Sequence, residues 1–445
     1  MAAKSPRPSP LRPAPIHRLT APLRRFLDIQ AASGFVLVAC AAVAMALANS
    51  PLADAVAHFW HTPVVVGVGG WVLDKPLEWW VNDGLMTIFF FVVGLEIKRE
   101  IAVGELRSPR KAALPVIAAV GGMVGPALIY LSFGHDETAR RGWGIPMATD
   151  IAFVVGVMAL FGPLVPLGLK VFLLSLAIAD DMGAVLVIAV VYTPDLNLLM
   201  LALAGGGFAV IVGLNRLGVR PVSVYVLVGV ATWLATYQSG VHPTVAGVLL
   251  GLLTPYTPWI GRDTLQLVLT DLSGKIDDGF DHEELQPGDV ALLRFAARET
   301  VAPLQRLEDR LHPWVGFVVM PVFALANAGV ALNFGGLAHP VPMAIAVGLF
   351  AGKLVGILGL SLLAVKSGVA ALPEGVNWRM MTAAAVLGGI GFTMSIFIAG
   401  LAFAGHAELL SEAKAGVLLG SLTSALVGSG LLWWSLRNES GEREA

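Results

Sequence analysis

The sequence predicts an all-α polytopic membrane protein of about twelve transmembrane helices, two of them interrupted, arranged as inverted repeats. The first reason is composition: of the 445 residues, 56% are hydrophobic and only 13% are charged, against about 25% charged residues in a typical soluble protein. The second is the recurrence of apolar runs long enough to cross a hydrocarbon core about 30 Å thick. The third is an uneven distribution of Lys and Arg among the connections, which restricts the number of crossings.

Twelve apolar runs are candidates for membrane spans, because a helix needs about 20 apolar residues to cross a bilayer. The first run ends in Ala46-Leu47-Ala48, an ending that a cleaved signal peptide also shows. The many later spans favour a first transmembrane helix instead. The predicted spans are residues 31–49, 81–97, 112–133, 143–161, 168–193, 198–214, 222–238, 242–256, 313–332, 342–365, 378–404 and 414–435.

The basic residues support this count. Of the 29 Lys and Arg residues, 24 fall on the side of the N-terminus, four fall on the opposite side and one, Lys353, falls inside a span. Cytoplasmic connections carry an excess of Lys and Arg. Both termini are therefore predicted to be cytoplasmic, in a multi-pass protein of a bacterial inner membrane. The net charge of −2 gives no reason to expect a nucleic-acid partner.

One membrane domain is predicted over residues 31–436, with cytoplasmic tails at 1–30 and 437–445. The first tail is too basic and Pro-rich to bury a core, so it is expected to be disordered. Cys40 is the only cysteine, which excludes an internal disulfide and a cysteine-rich metal site. No cofactor is expected.

Residues 257–312 are predicted to form an acidic cytoplasmic loop within this domain, with one amphipathic helix around residues 289–311. The segment has no apolar run long enough to cross a membrane. Its Asp277-Asp278-Gly279 lacks the alternating ligands of a calcium loop. The interpretation is therefore a solvated loop.

Asp180 and Asp181 lie near the middle of the fifth span, which otherwise has no charge. A charge at that depth costs about 2.5–3.5 kcal/mol, so a functional role is the first hypothesis. Neighbouring helical residues point about 100° apart, so one carboxylate can face a cavity while the other faces a partner helix. A carboxylate can bind a proton or a small hard cation, but not both. The alternative is a purely structural pair, satisfied by Lys353 and hydroxyl groups.

Two spans contain sequence signals of an interrupted helix. Pro146 in the fourth span removes a backbone donor, and Thr149 and Asp150 can satisfy the groups that it frees; a simple proline kink is the alternative. In the eleventh span, three glycines between residues 388 and 391 weaken the helix. Breaks at corresponding positions of two halves indicate inverted repeats and an ion site at mid-membrane, here spans 3–5 and 10–12.

Lys353 is about ten residues from either end of the tenth span, too far to reach the interface easily. It needs a buried counter-charge, and an aspartate of the fifth span is the natural partner. Interrupted helices expose half-helix ends with partial charges of about half a unit. Asp150 is expected to offset the positive ends and Lys353 the negative ends.

Six short segments stand out in order along the chain: Val93–Glu100, Ala148–Phe153, Ala179–Ala184, Ser239–His242, Phe323–Val330 and Gly389–Ile396. Together they resemble the signature segments of the NhaA-type sodium/proton antiporter family. The resemblance covers nearly the whole chain, from about residue 26 to residue 436.

The resemblance implies a secondary active antiporter rather than an enzyme. It would exchange cytoplasmic sodium or lithium for external protons by alternating access, in an electrogenic cycle that serves pH and sodium homeostasis. Asp181 is then the main carrier of cation and proton, with Asp180 as its neighbour and the partner of Lys353. Thr149 is an accessory ligand beside Asp150 at the helix break. Whether the chain forms a homodimer stays open.

The resemblance also implies a cytoplasmic cluster that responds to pH, to which Glu96, Arg99 and Glu308 correspond. His242 corresponds to a family histidine that is linked to the same response. An interfacial histidine that simply opens the eighth span is the alternative for His242.

Three other functions compete with antiport. An intramembrane aspartyl protease also needs two buried aspartates, but its Gly-x-Gly-Asp segment is absent. A proton-coupled carrier of an organic solute would need a larger polar cavity, and few Asn or Gln residues occur within the spans. A cation channel is disfavoured by Lys353, whose charge would lie beside the aspartates in the conduction path.

Overall fold

The computed structural model describes residues 30–68, 71–134, 136–193, 196–219, 221–277, 287–330 and 339–444. Nearly all of the predicted N-terminal tail lies outside the described residues. The helices are α1 Gln30–Ala48, α2 Ala53–Trp60, α3 Leu77–Ala102, α4 Pro109–Ser132, α5 Glu137–Arg140, α6 Ile151–Phe161, α7 Leu167–Val191, α8 Leu198–Arg216, α9 Val222–Gln238, α10 Pro243–Leu253, α11 Arg262–Asp277, α12 Pro287–Glu299, α13 Pro303–Trp314, α14 Met320–Asn327, α15 Pro340–Lys366, α16 Trp378–Leu387, α17 Phe392–Ala402 and α18 Ala407–Glu444.

The helices confirm the predicted class of a polytopic α-helical membrane protein. Within the described residues, seven helices are long and apolar enough to cross a membrane, or up to nine if each bent helix pair counts as one span. Every predicted span overlaps a helix or a helix pair. The number of twelve crossings stays a prediction, because α9, α10 and α14 are shorter than a full span.

Both predicted interruptions are visible as breaks between helices. The fourth span begins with α5, continues as a 3₁₀ turn over Arg141–Met147, and resumes as α6 after three residues without helical structure. The eleventh span is divided into α16 and α17, which are bent by 44°. Each broken span lies between two long helices in sequence, α4 and α7 in one half and α15 and α18 in the other. The inverted-repeat relation itself stays a prediction.

Glycines bring α4 and α15 into backbone contact. A Cβ atom on Gly121 or Gly125 would collide with the backbone of Gly356 or Gly352. In the other direction, a Cβ atom on Gly356 or Gly352 would collide with the backbone of Gly121 or Pro126. Each helix thus contributes two small residues four positions apart, the spacing that lets membrane helices pack closely. Lys353 adjoins this contact and directly follows a π-helical turn over Gly348–Gly352. The close approach holds its Cα deep inside the helix bundle.

A second glycine contact joins α3 and α10. A Cβ atom on Gly94, Gly247 or Gly251 would meet the backbone of the facing helix. Glu96 lies on α3, and His242 directly precedes α10. The contact therefore holds together the two helices that position these predicted pH-responsive residues.

The structure contains a β-hairpin that the sequence analysis did not anticipate. Strands β1 Pro63–Val68 and β2 Trp71–Pro76 pair antiparallel, with Val65 opposite Asp74. β-branched residues on both sides of a short Gly-Gly segment are a hairpin signal. That signal was hidden among the apolar runs, because Val-rich composition also fits a membrane helix.

The prediction of one amphipathic helix around residues 289–311 was wrong. The segment forms two helices, α12 and α13, separated by residues 300–302. Pro303 begins α13, and the residue before a proline is disfavoured in helical conformation. A further helix, α11, precedes them, so the loop holds more helix than predicted. Its most acidic part, residues 278–286, lies outside the described residues.

Candidate ion-binding site

Lys353, Asp180 and Thr149 form a buried polar contact where α7, α15 and the break before α6 meet. Lys353 Nζ lies 2.5 Å from Asp180 Oδ2 and donates a hydrogen bond of 2.9 Å to Thr149 Oγ1. The Lys353 and Thr149 residues are 0% exposed and Asp180 is 2% exposed. Asp180 is therefore the aspartate of the fifth span that supplies the counter-charge to Lys353.

Thr149 links this contact to the second helix break. Its hydroxyl donates a 2.8 Å hydrogen bond to the carbonyl oxygen of Gly388, while its oxygen accepts from Lys353. Gly388 lies at the C-terminal end of α16. Lys353 thus reaches the negative end of a half-helix through one hydroxyl rather than by direct contact with carbonyl groups.

Asp181 lies next to Asp180 on α7 and is equally buried, at 2% exposure. Within the described residues, no side chain or backbone group donates a hydrogen bond to it. Asp180 also has an open acceptor, because its Oδ1 atom is buried without a hydrogen-bond partner among the described residues. Buried polar atoms normally have partners. The free carboxylate oxygens of Asp180 and Asp181 are therefore candidate ligands for a small cation or a proton.

Asp150 lies at the crossing of the two broken helices and caps both of the half-helices that begin there. Its Oδ1 accepts a hydrogen bond from the Phe153 backbone N–H at the start of α6, at 3.1 Å. Its Oδ2 accepts from the Thr393 backbone N–H at the start of α17, also at 3.1 Å, and from the Thr393 hydroxyl. Both positive helix ends are thus compensated by a single carboxylate.

Further polar groups at the crossing were missed by the sequence analysis. Ser421 Oγ on α18 accepts hydrogen bonds from the Gly391 and Phe392 backbone N–H groups, at 3.2 and 3.1 Å. The Ser395 hydroxyl donates to the Ile145 carbonyl oxygen at 2.7 Å. Serines in apolar helices are common and carry no charge, so no local sequence signal distinguishes these two.

Charge balance separates Asp181 from the other two aspartates. Asp180 faces Lys353, and Asp150 receives hydrogen bonds from two helix N-termini and a hydroxyl. Asp181 has neither kind of partner among the described residues. An isolated ionised carboxylate buried in a low-dielectric interior is very costly, so Asp181 is the strongest candidate of the three for binding a proton or a cation.

The predicted pH-responsive residues separate into two places. Arg99 on α3 forms an ion pair with Glu308 on α13, and Glu96, one helical turn earlier, lies 3.5 Å from His312 Nδ1. His312 was missed because it sits just before a predicted span, where a histidine is unremarkable. Burial raises the pKa of Glu308, although the Arg99 guanidinium acts in the opposite direction. The Glu96 carboxylate raises the pKa of His312 above its ordinary value of 6.5.

His242 lies in the second of these two places. Its Nε2 lies 3.2 Å from Asp83 Oδ1, and its Nδ1 lies 2.7 Å from the Thr244 hydroxyl. The ring packs edge-on against Phe397 of α17, with centroids 5.4 Å apart. His242 is therefore not simply interfacial, since it contacts both a buried carboxylate and an interrupted helix. Asp83 was missed because it lies near the end of a span, where a charge is not anomalous.

The His312–Glu96 contact is expected to make the stability of the protein depend on pH. Because folding raises the pKa of His312, its contribution is fully present below pH 6.5 and is lost as the pH rises through the raised value. The His312 side chain is 59% exposed, so the contribution is at most about 1 kcal/mol. In detergent, the wild-type melting temperature should fall as the pH rises from 6.5 through the raised pKa of His312. We expect a smaller fall in His312→Gln.

The matched control is His406→Gln, which removes an exposed histidine of a connection. It should leave the pH profile of the melting temperature unchanged. A wild-type profile in His312→Gln, or equal flattening in His406→Gln, would contradict a specific contribution from the His312–Glu96 contact.

Comparison with known proteins covers almost the entire chain. The family model described as Na+/H+ antiporter 1 matches residues 24–432. The chain is 52% identical over 414 residues to Na(+)/H(+) antiporter NhaA 2 of Sorangium cellulosum, covering 91% of this chain and 88% of that protein. It is 48% identical over 428 residues to Na(+)/H(+) antiporter NhaA of Rhodopirellula baltica, covering 96% and 97% of the two proteins.

A third relative, Na(+)/H(+) antiporter NhaA 2 of Pseudomonas putida, is 47% identical over 438 residues, with 96% of each protein covered. The range of the family model, residues 24–432, spans both helix breaks, the aspartates of α7 and Lys353. The buried charges and crossed half-helices described above thus lie within the region shared with transporters rather than enzymes. The chain belongs to the Na+/H+ antiporter 1 family of membrane proteins.

Proposed function

We propose that this protein exchanges cytoplasmic sodium or lithium for external protons across the bacterial inner membrane, with Asp181 and Asp180 as the ion site. The observation that carries the proposal is the uncompensated, buried carboxylate of Asp181 beside the open Oδ1 atom of Asp180. Carboxylate oxygens are suitable ligands for hard cations. Since a proton occupies the same oxygens, binding of the two substrates is mutually exclusive.

Mutual exclusion at one site is sufficient for exchange if the site faces the two sides of the membrane in turn. A site that must hold either a proton or a cation cannot readily move empty, because a bare buried carboxylate is too costly. Each reorientation therefore carries one substrate or the other. We propose that the broken helices and α7 form this alternating site, with Thr149 as an accessory ligand.

We propose in addition that the cycle is electrogenic. Two titrating groups, either Asp181 with Asp180 or Asp181 with Lys353, would release two protons for each monovalent cation bound. Such a cycle moves net charge, and a membrane potential supplies about 2.3 kcal/mol per charge per 100 mV. That energy is enough to expel sodium against a gradient of more than tenfold.

Electrogenic exchange is tested with purified protein in liposomes that carry a sodium gradient and a voltage-sensitive dye. We expect the sodium gradient to generate a potential, and an imposed potential to change the exchange rate. Exchange of normal rate with no voltage signal would mean one-for-one exchange and would remove the two-proton scheme. Everted vesicles with a pH dye show whether sodium, without an organic solute, causes proton movement at all.

For the pH response we propose two groups on separate elements. The first is the charged contact between α3 and α13, where Glu96 and Arg99 meet the helix that carries Glu308. The second is His242 with Asp83 beside α17. The first group couples the long cytoplasmic loop to α3, and the second contacts a broken helix directly. A change of protonation at the second place would therefore act directly on a broken helix of the ion site, whereas a change at the first would act on α3.

We propose that the protein forms a homodimer through its β-hairpin. The hairpin is a two-stranded sheet with outer edges, and Val65, Val66 and Val72 expose 61%, 47% and 60% of their surface. An exposed, apolar edge strand is a template for pairing with a second copy, and a two-fold dimer is the commonest symmetric assembly.

Val65→Lys with Val72→Lys should shift the detergent-solubilised protein from dimer to monomer in light scattering. A dimer that persists in this variant would exclude the hairpin as the interface.

A further inference from the structure

A cavity lies beside the C-terminal end of α3, away from the ion site. Its volume is about 420 Å³, and it is lined by Lys98, Ile101, Ala102, Val103, Arg107 and Tyr256. The lining combines two cationic side chains with aliphatic and aromatic surface. None of these residues has a role in the exchange scheme above.

The depth of the cavity follows from the length of α3. Lys98 comes 21 positions after Leu77, which begins the helix, and the rise of 1.5 Å per residue places it about 32 Å further along. Trp79 and Trp80 lie at the opposite end, where aromatic residues typically mark an interface. The cavity is thus at the other interface, which the excess of basic residues assigns to the cytoplasmic leaflet.

The two cations of the cavity lack carboxylate partners within the described residues, unlike their neighbours. Arg99 pairs with Glu308, and Lys111 pairs with Glu105 at 3.3 Å. The nearest aromatic partner of Lys98 is the Tyr256 ring, 5.8 Å from its Nζ to the centroid. Two unneutralised cations on one cavity repel sodium and favour an anion.

The apolar wall of the cavity favours a phospholipid over a free inorganic anion. Ile101 and Val103 expose 47% and 62% of their surface beside the cations. A free inorganic anion would leave this surface uncovered, whereas a phospholipid would place its phosphate at the cations and its glycerol and acyl chains against the wall. Basic pockets on the cytoplasmic side of membrane helices are typical sites for anionic head groups.

We propose that this cavity binds the head group of an anionic phospholipid of the cytoplasmic leaflet, with Lys98 and Arg107 contacting the phosphate. Lys98 adjoins Arg99 on α3, so the bound lipid lies next to the contact between α3 and α13. The site is independent of the sodium/proton scheme, because it uses none of the same residues.

The test uses full-length protein, purified in a neutral detergent and stripped of lipid. Phosphatidylglycerol should raise its melting temperature more than phosphatidylcholine does, and native mass spectrometry should show a retained anionic lipid. Lys98→Gln with Arg107→Gln should lose most of this difference and weaken retention by roughly tenfold. The matched control, Arg110→Gln with Lys366→Gln, removes two exposed charges from the same predicted side and should behave as wild type.

Three results would overturn the proposal. Unchanged lipid retention in the Lys98 and Arg107 double variant would place the lipid elsewhere. An equal loss in the control would reduce the effect to general surface charge. An equal melting shift with inorganic phosphate alone would identify a free-anion site instead. The single variants Lys98→Gln and Arg107→Gln, each with an intermediate loss, guard against a folding defect in the double variant.

Discussion

Asp181→Asn is expected to abolish sodium/proton exchange while the protein still inserts and folds. Asparagine preserves the shape and hydrogen-bonding capacity of the side chain, but it cannot alternate between a protonated and an anionic form. Because Asp181 lacks a compensating partner among the described residues, loss of its charge leaves no other group unpaired. The measurement is sodium-induced dequenching of a pH dye in everted vesicles, where the signal should fall to the background of vesicles without the protein.

The matched control is Asp263→Asn, which removes an exposed carboxylate at the start of α11. It should retain wild-type exchange. Melting temperature in detergent should be unchanged or higher for Asp181→Asn, since a buried carboxylate is removed. Substantial exchange by a normally inserted Asp181→Asn protein would exclude Asp181 as the carrier.

Lys353→Ala is expected to destabilise the protein as well as impair exchange. The substitution removes one partner of a fully buried ion pair, 2.5 Å between Nζ and Asp180 Oδ2. Breaking such a pair costs about 3–5 kcal/mol, because the remaining charge stays buried without compensation. Thr149 also loses a donor to its hydroxyl oxygen. Thermal or denaturant unfolding in detergent measures the loss.

Two variants separate the ion pair from the volume of the side chain. Lys366→Ala, at the exposed end of the same helix, should cost little. Lys353→Met combined with Asp180→Leu removes both charges and should be much more stable than Lys353→Ala, because replacing both partners by apolar residues leaves no buried charge. Equal stability of Lys353→Ala and wild type would contradict the buried pair.

The charges at mid-membrane were predictable because they violate a strong local rule. Lys353, Asp180 and Asp150 lie in apolar runs where any charge is expensive, and Pro146 and the glycines at 388–391 break the helical pattern nearby. The pairing of Lys353 with a fifth-span aspartate also followed, since a buried cation needs an anion close by. Their roles in transport stay predictions.

The missed features depend on tertiary contacts that leave no local pattern. The contact between Asp83 and His242 joins residues more than 150 positions apart, so nothing near either residue in the sequence indicates it. Of the helices in the cytoplasmic loop, α13 contacts α3 through the Arg99–Glu308 ion pair, and nothing near either residue in the sequence indicates that contact. The β-hairpin was obscured because its valines fit two kinds of secondary structure.

The double cap at Asp150 constrains how the sequence can evolve. One side chain caps the first turns of two helices that lie more than 200 residues apart in sequence. A substitution there removes the carboxylate from both helix ends at once, and a new capping residue on either helix would repair only its own end. Apart from restoring Asp150 itself, repair therefore requires a change at each of the two breaks. One carboxylate therefore stabilises both breaks, and its loss would affect the two together.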